Sequence, residues 1–176
     1  LKRIQSLIND LRNSSKSRKL ELDSCQIKGV IQETIRLISD RLKLKKMKLR
    51  LNLDPELPEI MADKEQLKVA LLNLFLNALE AMKEGKGVLN ITSWQESEES
   101  IMVAIQDNGT GIKREDIPRI FDPFFTGKND GSGIGLTTTM NVVKRHKGNI
   151  EVESAEGKGT TFYVHFLLDP DINNEF

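Results

Sequence analysis

Cysteine is almost missing from this chain: Cys25 stands alone among 176 residues. An internal disulfide framework is excluded, and Cys25 has no companions at metal-ligand spacing, so it reads as a small half-buried side chain. An excess of charge of either sign is also missing, because 26 Lys and Arg balance 26 Asp and Glu. Bulk electrostatics therefore favour neither nucleic acid nor an anionic membrane surface. Long apolar runs are lacking too. None approaches the ~18 residues that a membrane helix needs, and no signal-peptide pattern opens the chain. A cytoplasmic segment is expected, with any membrane anchor of a longer parent lying upstream. There is no internal repeat and no low-complexity tract.

What is present is strong periodicity. "LKRIQSLINDLRNSS" places Leu1, Ile4, Ile8 and Leu11 on one helical stripe that starts in mid-pattern without a cap. The expectation is a short N-terminal helix belonging to something longer, its stripe needing a partner. A second helix is predicted from Gln26 to about Leu44. From Met47 the period changes to two, and "MKLRLNLD" reads as a strand. Asp63 can cap a helix reaching about Lys83, with Gln66 three residues on. "VLNITSWQE" and "SIMVAIQD" form a predicted hairpin, and a glycine-rich stretch with one helical turn near residues 115–121 follows. A helix from Ile134 to His146 and a hairpin over "NIEVESAEGKGTTFYVHFLL" complete the pattern before a frayed tail. The predicted class is α+β: a two-layer sandwich in which helices cover one mixed, mostly antiparallel sheet. The expected division is 1–22 as a helix remnant and linker, 23–170 as one domain, and 171–176 as tail.

Three features carry chemistry. Gln66, Asn73, Asn77 and Glu80 fall on one side of an otherwise apolar helix, at steps of seven, four and three. A buried amide without a partner costs roughly 1–3 kcal/mol, so these amides must be paired, hydrated or turned toward a polar ligand. Glu80 reads more simply as a surface charge. Next, "DNGTGI" puts Asp107 at a strand end, where its carboxylate could accept a hydrogen bond from an amino group. Gly109 and Gly111 leave main chain bare for a flat group to approach. An ordinary tight turn is the alternative. Last, "GSGIGL" sets Gly131, Gly133 and Gly135 ahead of a helix N-terminus, a ready phosphate cradle with Lys128 just upstream. It is neither a Walker loop nor a Rossmann turn.

"NLFLNALEA", "DNGTGI", "FDPFF", "GSGIGL" and "EGKGTTF", in that order, resemble the N, G1, F, G2 and final G-x-G-T boxes of sensor histidine kinases. The resemblance implies the Bergerat ATP-binding fold, shared with gyrase, the Hsp90 chaperones and MutL, over about residues 23–168. It implies ATP and Mg²⁺ as cofactors, with Asn77 as metal ligand and Asn73 on phosphate or metal-bound water. Asp107 would read the adenine amino group, with Gly109, Gly111 and Ile112 around the base and Thr160 assisting. Phe121, Phe124 and Phe125 would anchor a lid over residues 126–132. Lys128, Gly131, Ser132, Gly133, Ile134, Gly135 and Leu136 would meet the phosphates. In this sequence "TGK" stands where many relatives have "TTK", which bears on Lys128.

The ATP-hydrolysing relatives carry a general-base glutamate where this chain has Asn73, and an amide cannot take up a proton at neutral pH. The resemblance therefore implies slow hydrolysis and transfer to another nucleophile, a histidine on a dimerisation hairpin. The two histidines here do not fit that role, since neither lies in an H-[ED]-x-x-[NP] box. His146 reads as a helix-terminal residue where a cation suits the dipole, and His165 as a strand-surface residue. The expected partners are the dimerisation and phosphoacceptor domain of a homodimeric parent and a response-regulator receiver domain. The Leu1 to Leu11 stripe looks like the end of the hairpin's second helix. The alternatives are a hydrolysing ATPase of the gyrase, Hsp90 and MutL type, an anti-sigma-like serine kinase, and a nucleotide-binding relay without catalysis.

Overall fold

A computed structural model describes residues 19–127 and 133–169. Its elements in chain order are β1 (Asp23–Cys25), α1 (Ile27–Leu44), β2 (Lys48–Leu53), β3 (Ile60–Ala62), α2 (Lys64–Ala81), β4 (Val88–Ser97) and β5 (Ser100–Asp107). A 3₁₀ turn (Ile117–Arg119), α3 (Gly135–Arg145), β6 (Asn149–Ala155) and β7 (Gly159–Leu167) follow. The predicted N-terminal helix lies outside the described residues.

Five strands form one sheet in the order β2-β4-β5-β7-β6. β2 pairs parallel to β4 and every other pair is antiparallel. Alternation along the strands turns Leu89 and Ile91, then Ile101, Val103 and Ile105, then Phe162, Val164 and Phe166, to a buried face. The three helices lie on that face. α1 is amphipathic, burying Ile27, Val30, Ile31, Ile38 and Leu42 at helical spacing. α2 is apolar nearly all round, and packs between α1, α3 and the sheet. Its start is fixed by Asp63, whose carboxylate accepts the Gln66 N–H at 3.1 Å.

Two elements were not expected from the sequence. β1 and β3, three residues each, pair antiparallel beside the main sheet, with Cys25 opposite Ile60. They are too short for alternation to register, and the prolines at 55 and 58 mask the strand that follows. The third helix begins one residue later than predicted, with Ile134 as its cap.

The register places Leu89, Asp107, Thr160 and Ser154 in one row across four strands. A mostly apolar face therefore ends in the polar groups of Asp107, Thr160 and Ser154, where β5 runs out into the glycine-rich connection.

Candidate functional site

α2 is the floor of the site. Asn73 is 8% exposed, and its Nδ2 donates to the Gly135 carbonyl at 3.1 Å in the first turn of α3. Two turns on, the Ala81 carbonyl accepts the Thr110 N–H at 3.1 Å, holding the loop that follows Asp107. Asn77, half-buried, lies one turn from each anchor on the same side of the helix. The floor from Asn73 to Ala81 is thus about 12 Å long, with α3 at one end and the Asp107 loop at the other.

At the α3 end the cap residue Ile134 makes no side-chain cap bond, and the first turn holds no acidic residue. Leu136 and Thr137 follow, so their main-chain N–H groups, with the positive end of the helix dipole, form an anion-seeking surface. The phenylalanine segment braces this turn. Thr137 Oγ1 donates to the Phe121 carbonyl at 3.1 Å, and the Phe124 N–H donates to the Gly133 carbonyl at 3.0 Å. Gly133 has φ +65°, and a Cβ there would come within 2.4 Å of the Phe124 main chain, so only glycine closes this clasp.

The phenylalanines divide their work differently from the expectation. Phe121 packs edge-on against Phe162 with centroids 6.4 Å apart, and Phe125 is half-buried under the Arg119 guanidinium at 4.8 Å. The Phe124 side chain is 75% exposed, at a left-handed φ of 65°, and only its main chain joins the clasp on Gly133.

At the other end Asp107 is 5% exposed, and its Oδ1 accepts the Gly109 N–H at 2.7 Å. Thr160, opposite it in the register, has its hydroxyl 2.9 Å from Ser154 Oγ. Ser154 in turn accepts the Ile112 N–H at 2.8 Å and donates to the Gly159 carbonyl at 2.9 Å, which leaves Thr160 as the donor between the two hydroxyls. Ser154 was missed in the sequence, where it is one polar residue on an alternating strand. Its position in the Asp107 row is visible only once the strands are paired.

The glycines of this loop also have a packing reason. A Cβ on Gly109 would lie 2.7 Å from the Ala81 carbonyl, and one on Gly111, at φ +69°, would lie 2.0 Å from the Ala155 oxygen. Both must be bare for the loop to press between α2 and the β6–β7 turn. Lys128, Gly131 and Ser132 lie outside the described residues.

His146 ends α3, as its sequence reading has it, but not as a cation. It is buried, with Nε2 accepting the Asp63 N–H at 3.0 Å and Nδ1 2.8 Å from the Val142 carbonyl. Those partners require a neutral ring protonated on Nδ1. Burial pushes its pKa below 6.5 and Arg145 pushes the same way, against the Val142 carbonyl and Asp63. A cation at the helix end is therefore the disfavoured form. His165 is partly exposed on its strand, 3.2 Å from Glu96.

The family of histidine kinase-, DNA gyrase B- and HSP90-like ATPases matches residues 62–170. Sensor histidine kinase ZraS of Escherichia coli strain K12 is 36% identical over 160 residues, which cover 91% of this chain and 34% of that protein. Sporulation kinase E of Bacillus subtilis strain 168 is 30% identical over 164 residues, covering 93% of this chain and 22% of its own length. The chain thus spans about a third or less of these curated relatives. Among solved structures, the nucleotide-free catalytic domain of histidine kinase ThkA superposes with a TM-score of 0.77 at 29% identity, covering 86% of this chain and 98% of that one. ThkA in complex with the response regulator protein TrrA gives 0.79 at 26% identity, covering 98% of this chain and 49% of that one.

Proposed function

The chain belongs to the histidine kinase-, DNA gyrase B- and HSP90-like ATPase family, with the ATP-binding fold of a histidine kinase catalytic domain, and on that premise we propose that it presents Mg²⁺–ATP for γ-phosphoryl transfer to a histidine on a separate dimerisation domain. The observation that carries this is the shape of the floor. One helix offers Asn73 and Asn77 between an uncapped helix N-terminus, suited to phosphates, and a buried carboxylate, suited to an exocyclic amine.

The residues present fit a magnesium nucleotide. Asn77, half-buried and one turn from both anchors, would hold the metal through its amide oxygen, phosphates and water completing the shell. When bound, Mg²⁺ supplies charge neutralisation on the phosphate oxygens. The protein's own part is to orient. Asp107 and Thr160 select the base, while the first turn of α3 and the Gly133 clasp hold the phosphate end. Among the described residues no group of three His, Cys, Asp or Glu stands ready for a metal, so Mg²⁺ is expected to enter with the nucleotide.

Hydrolysis is disfavoured at Asn73. Its Nδ2 is engaged by Gly135, and its oxygen is an amide oxygen that does not accept a proton. His146 is buried and committed to Asp63, and the other histidine pairs with Glu96, so the phosphoacceptor belongs to another domain. We take residues 23–170 as the catalytic domain, 1–22 as the end of the dimerisation hairpin with its linker, and 171–176 as tail. The parent is then a homodimer acting in the cytoplasm and passing its phosphoryl group to a receiver domain, as the ThkA–TrrA pairing suggests by analogy. Among the described residues no helix is long and apolar enough to cross a membrane.

Calorimetry with AMPPNP, with and without Mg²⁺, tests the binding. γ-Labelled ATP added with a separately made dimerisation hairpin tests the transfer. Label on the hairpin histidine supports the kinase, while label released only as free phosphate favours the hydrolase.

A further inference from the structure

Thr139 is absent from every motif above, yet it is 0% exposed and its hydroxyl sits between the two helices of the site. Oγ1 is 3.0 Å from the Gly135 carbonyl and 3.3 Å from the Ala70 carbonyl of α2. A bond to the carbonyl four residues back is ordinary for threonine in a helix. The second acceptor is not ordinary, because it belongs to the helix that carries Asn73. The Gly135 oxygen thus receives Asn73 Nδ2 from one side and the Thr139 hydroxyl from another. That oxygen belongs to the same planar peptide unit as the Leu136 N–H, which points the opposite way, out of the helix N-terminus. Fixing the carbonyl fixes the direction of that N–H.

We propose that Thr139 is a positioning residue for phosphate recognition: with Asn73 it clamps the Gly135 peptide, and so aims the Leu136 N–H of α3 at the phosphate chain. This rests on the nucleotide reading above. It adds a contact that shapes the site without touching the ligand. A valine would fill the same volume with no hydroxyl, and both carbonyls would keep their helical N–H partners, so packing alone does not require threonine here.

The test compares the wild-type protein with Thr139→Val and Thr139→Ser, using two readouts. In the nucleotide-free protein, the side-chain amide NMR signals of Asn73 report the clamp directly. They are expected to shift and exchange faster in T139V and to return in T139S. By calorimetry, the Kd for Mg²⁺–AMPPNP is expected to rise roughly three- to tenfold in T139V, the loss of one hydrogen bond's worth of orientation, and to recover in T139S. The melting temperature is expected to stay close to that of the wild type in T139V and to fall modestly in T139S, which loses a buried methyl. Unchanged Asn73 signals in T139V overturn the clamp, and so does an affinity loss that only tracks a fall in melting temperature. A wild-type protein that binds no AMPPNP removes the nucleotide reading, and the proposed role with it; the Asn73 signals still show separately whether the hydroxyl holds the peptide.

Discussion

Lowering the pH should weaken the junction of α3 with the start of α2 through one group, His146. In the folded chain its ring is neutral: Nδ1–H donates to Val142, and Nε2 accepts the N–H of Asp63. Protonation would set an N–H on Nε2 against the N–H of Asp63, donor facing donor, beside Arg145. The folded-state pKa lies below 6.5 while the unfolded value stays near it, so below pH 6.5 the unfolded chain binds a proton that the folded chain does not. The stability held by the neutral ring is fully present above pH 6.5. It is lost as pH falls below that value, at up to about 1.4 kcal/mol per pH unit, until the folded-state pKa is reached. Urea denaturation at pH 7.5 and 5.5 measures this, with His146→Gln as comparator. Glutamine offers an acceptor and a donor but does not titrate. The wild type should lose more than H146Q over that interval, by at most about 1.4 kcal/mol. Equal losses would refute the buried neutral ring. The effect bears on the site because Asp63 also caps α2, through the Gln66 N–H, while Gln66 Oε1 receives the Arg145 guanidinium at 2.9 Å.

Other outcomes follow from single contacts. Gly111→Ala should cost about 2–4 kcal/mol by thermal or chemical denaturation, because its Cβ would lie 2.0 Å from the Ala155 oxygen at a φ of +69°. Ser93→Ala should leave stability unchanged or raise it by up to about 1 kcal/mol, since Ser93 Oγ is buried with no hydrogen-bond partner among the described residues. Asp107→Asn should weaken adenine nucleotide binding at least about tenfold, the scale of a hydrogen bond to a charged group. The same change should leave guanine nucleotides unaffected, and calorimetry distinguishes the two. Asn77→Ala should abolish the gain in AMPPNP affinity that Mg²⁺ brings while sparing the metal-free affinity, which the same titration with EDTA measures.

The sequence was most legible where periodicity is long. α1, α2 and the two hairpins each extend over enough residues for alternation or a helical stripe to outvote local accidents, and their bounds came within a few residues. The polar stripe on α2 was legible for the same reason, because two amides in an apolar helix need an external partner. What stayed hidden was whatever depends on pairing at a distance. Ser154 acquires meaning only when the register sets it in line with Asp107, and Thr139 only when α3 crosses α2. His146 was placed correctly at a helix end, but its charge was misread: the dipole there suggests a cation, whereas this ring is buried and accepts the N–H of Asp63.

The glycines of the Asp107 loop have a packing reason that the sequence does not show. At both bare positions a Cβ would meet main chain, from Ala81 and from Ala155. The two contacts tie the loop to the end of α2 on one side and to the β6–β7 turn on the other, where the Gly157 N–H reaches the Thr110 carbonyl at 2.7 Å. A ligand held by Asp107 is thereby held at a fixed distance along the same helix that positions Asn77 and Asn73. On the proposed function, adenine selection and phosphate placement become one rigid measurement along α2, rather than two separate sites. A side chain at either glycine would push the Asp107 loop off that helix. Base and phosphate contacts should therefore weaken together in such variants.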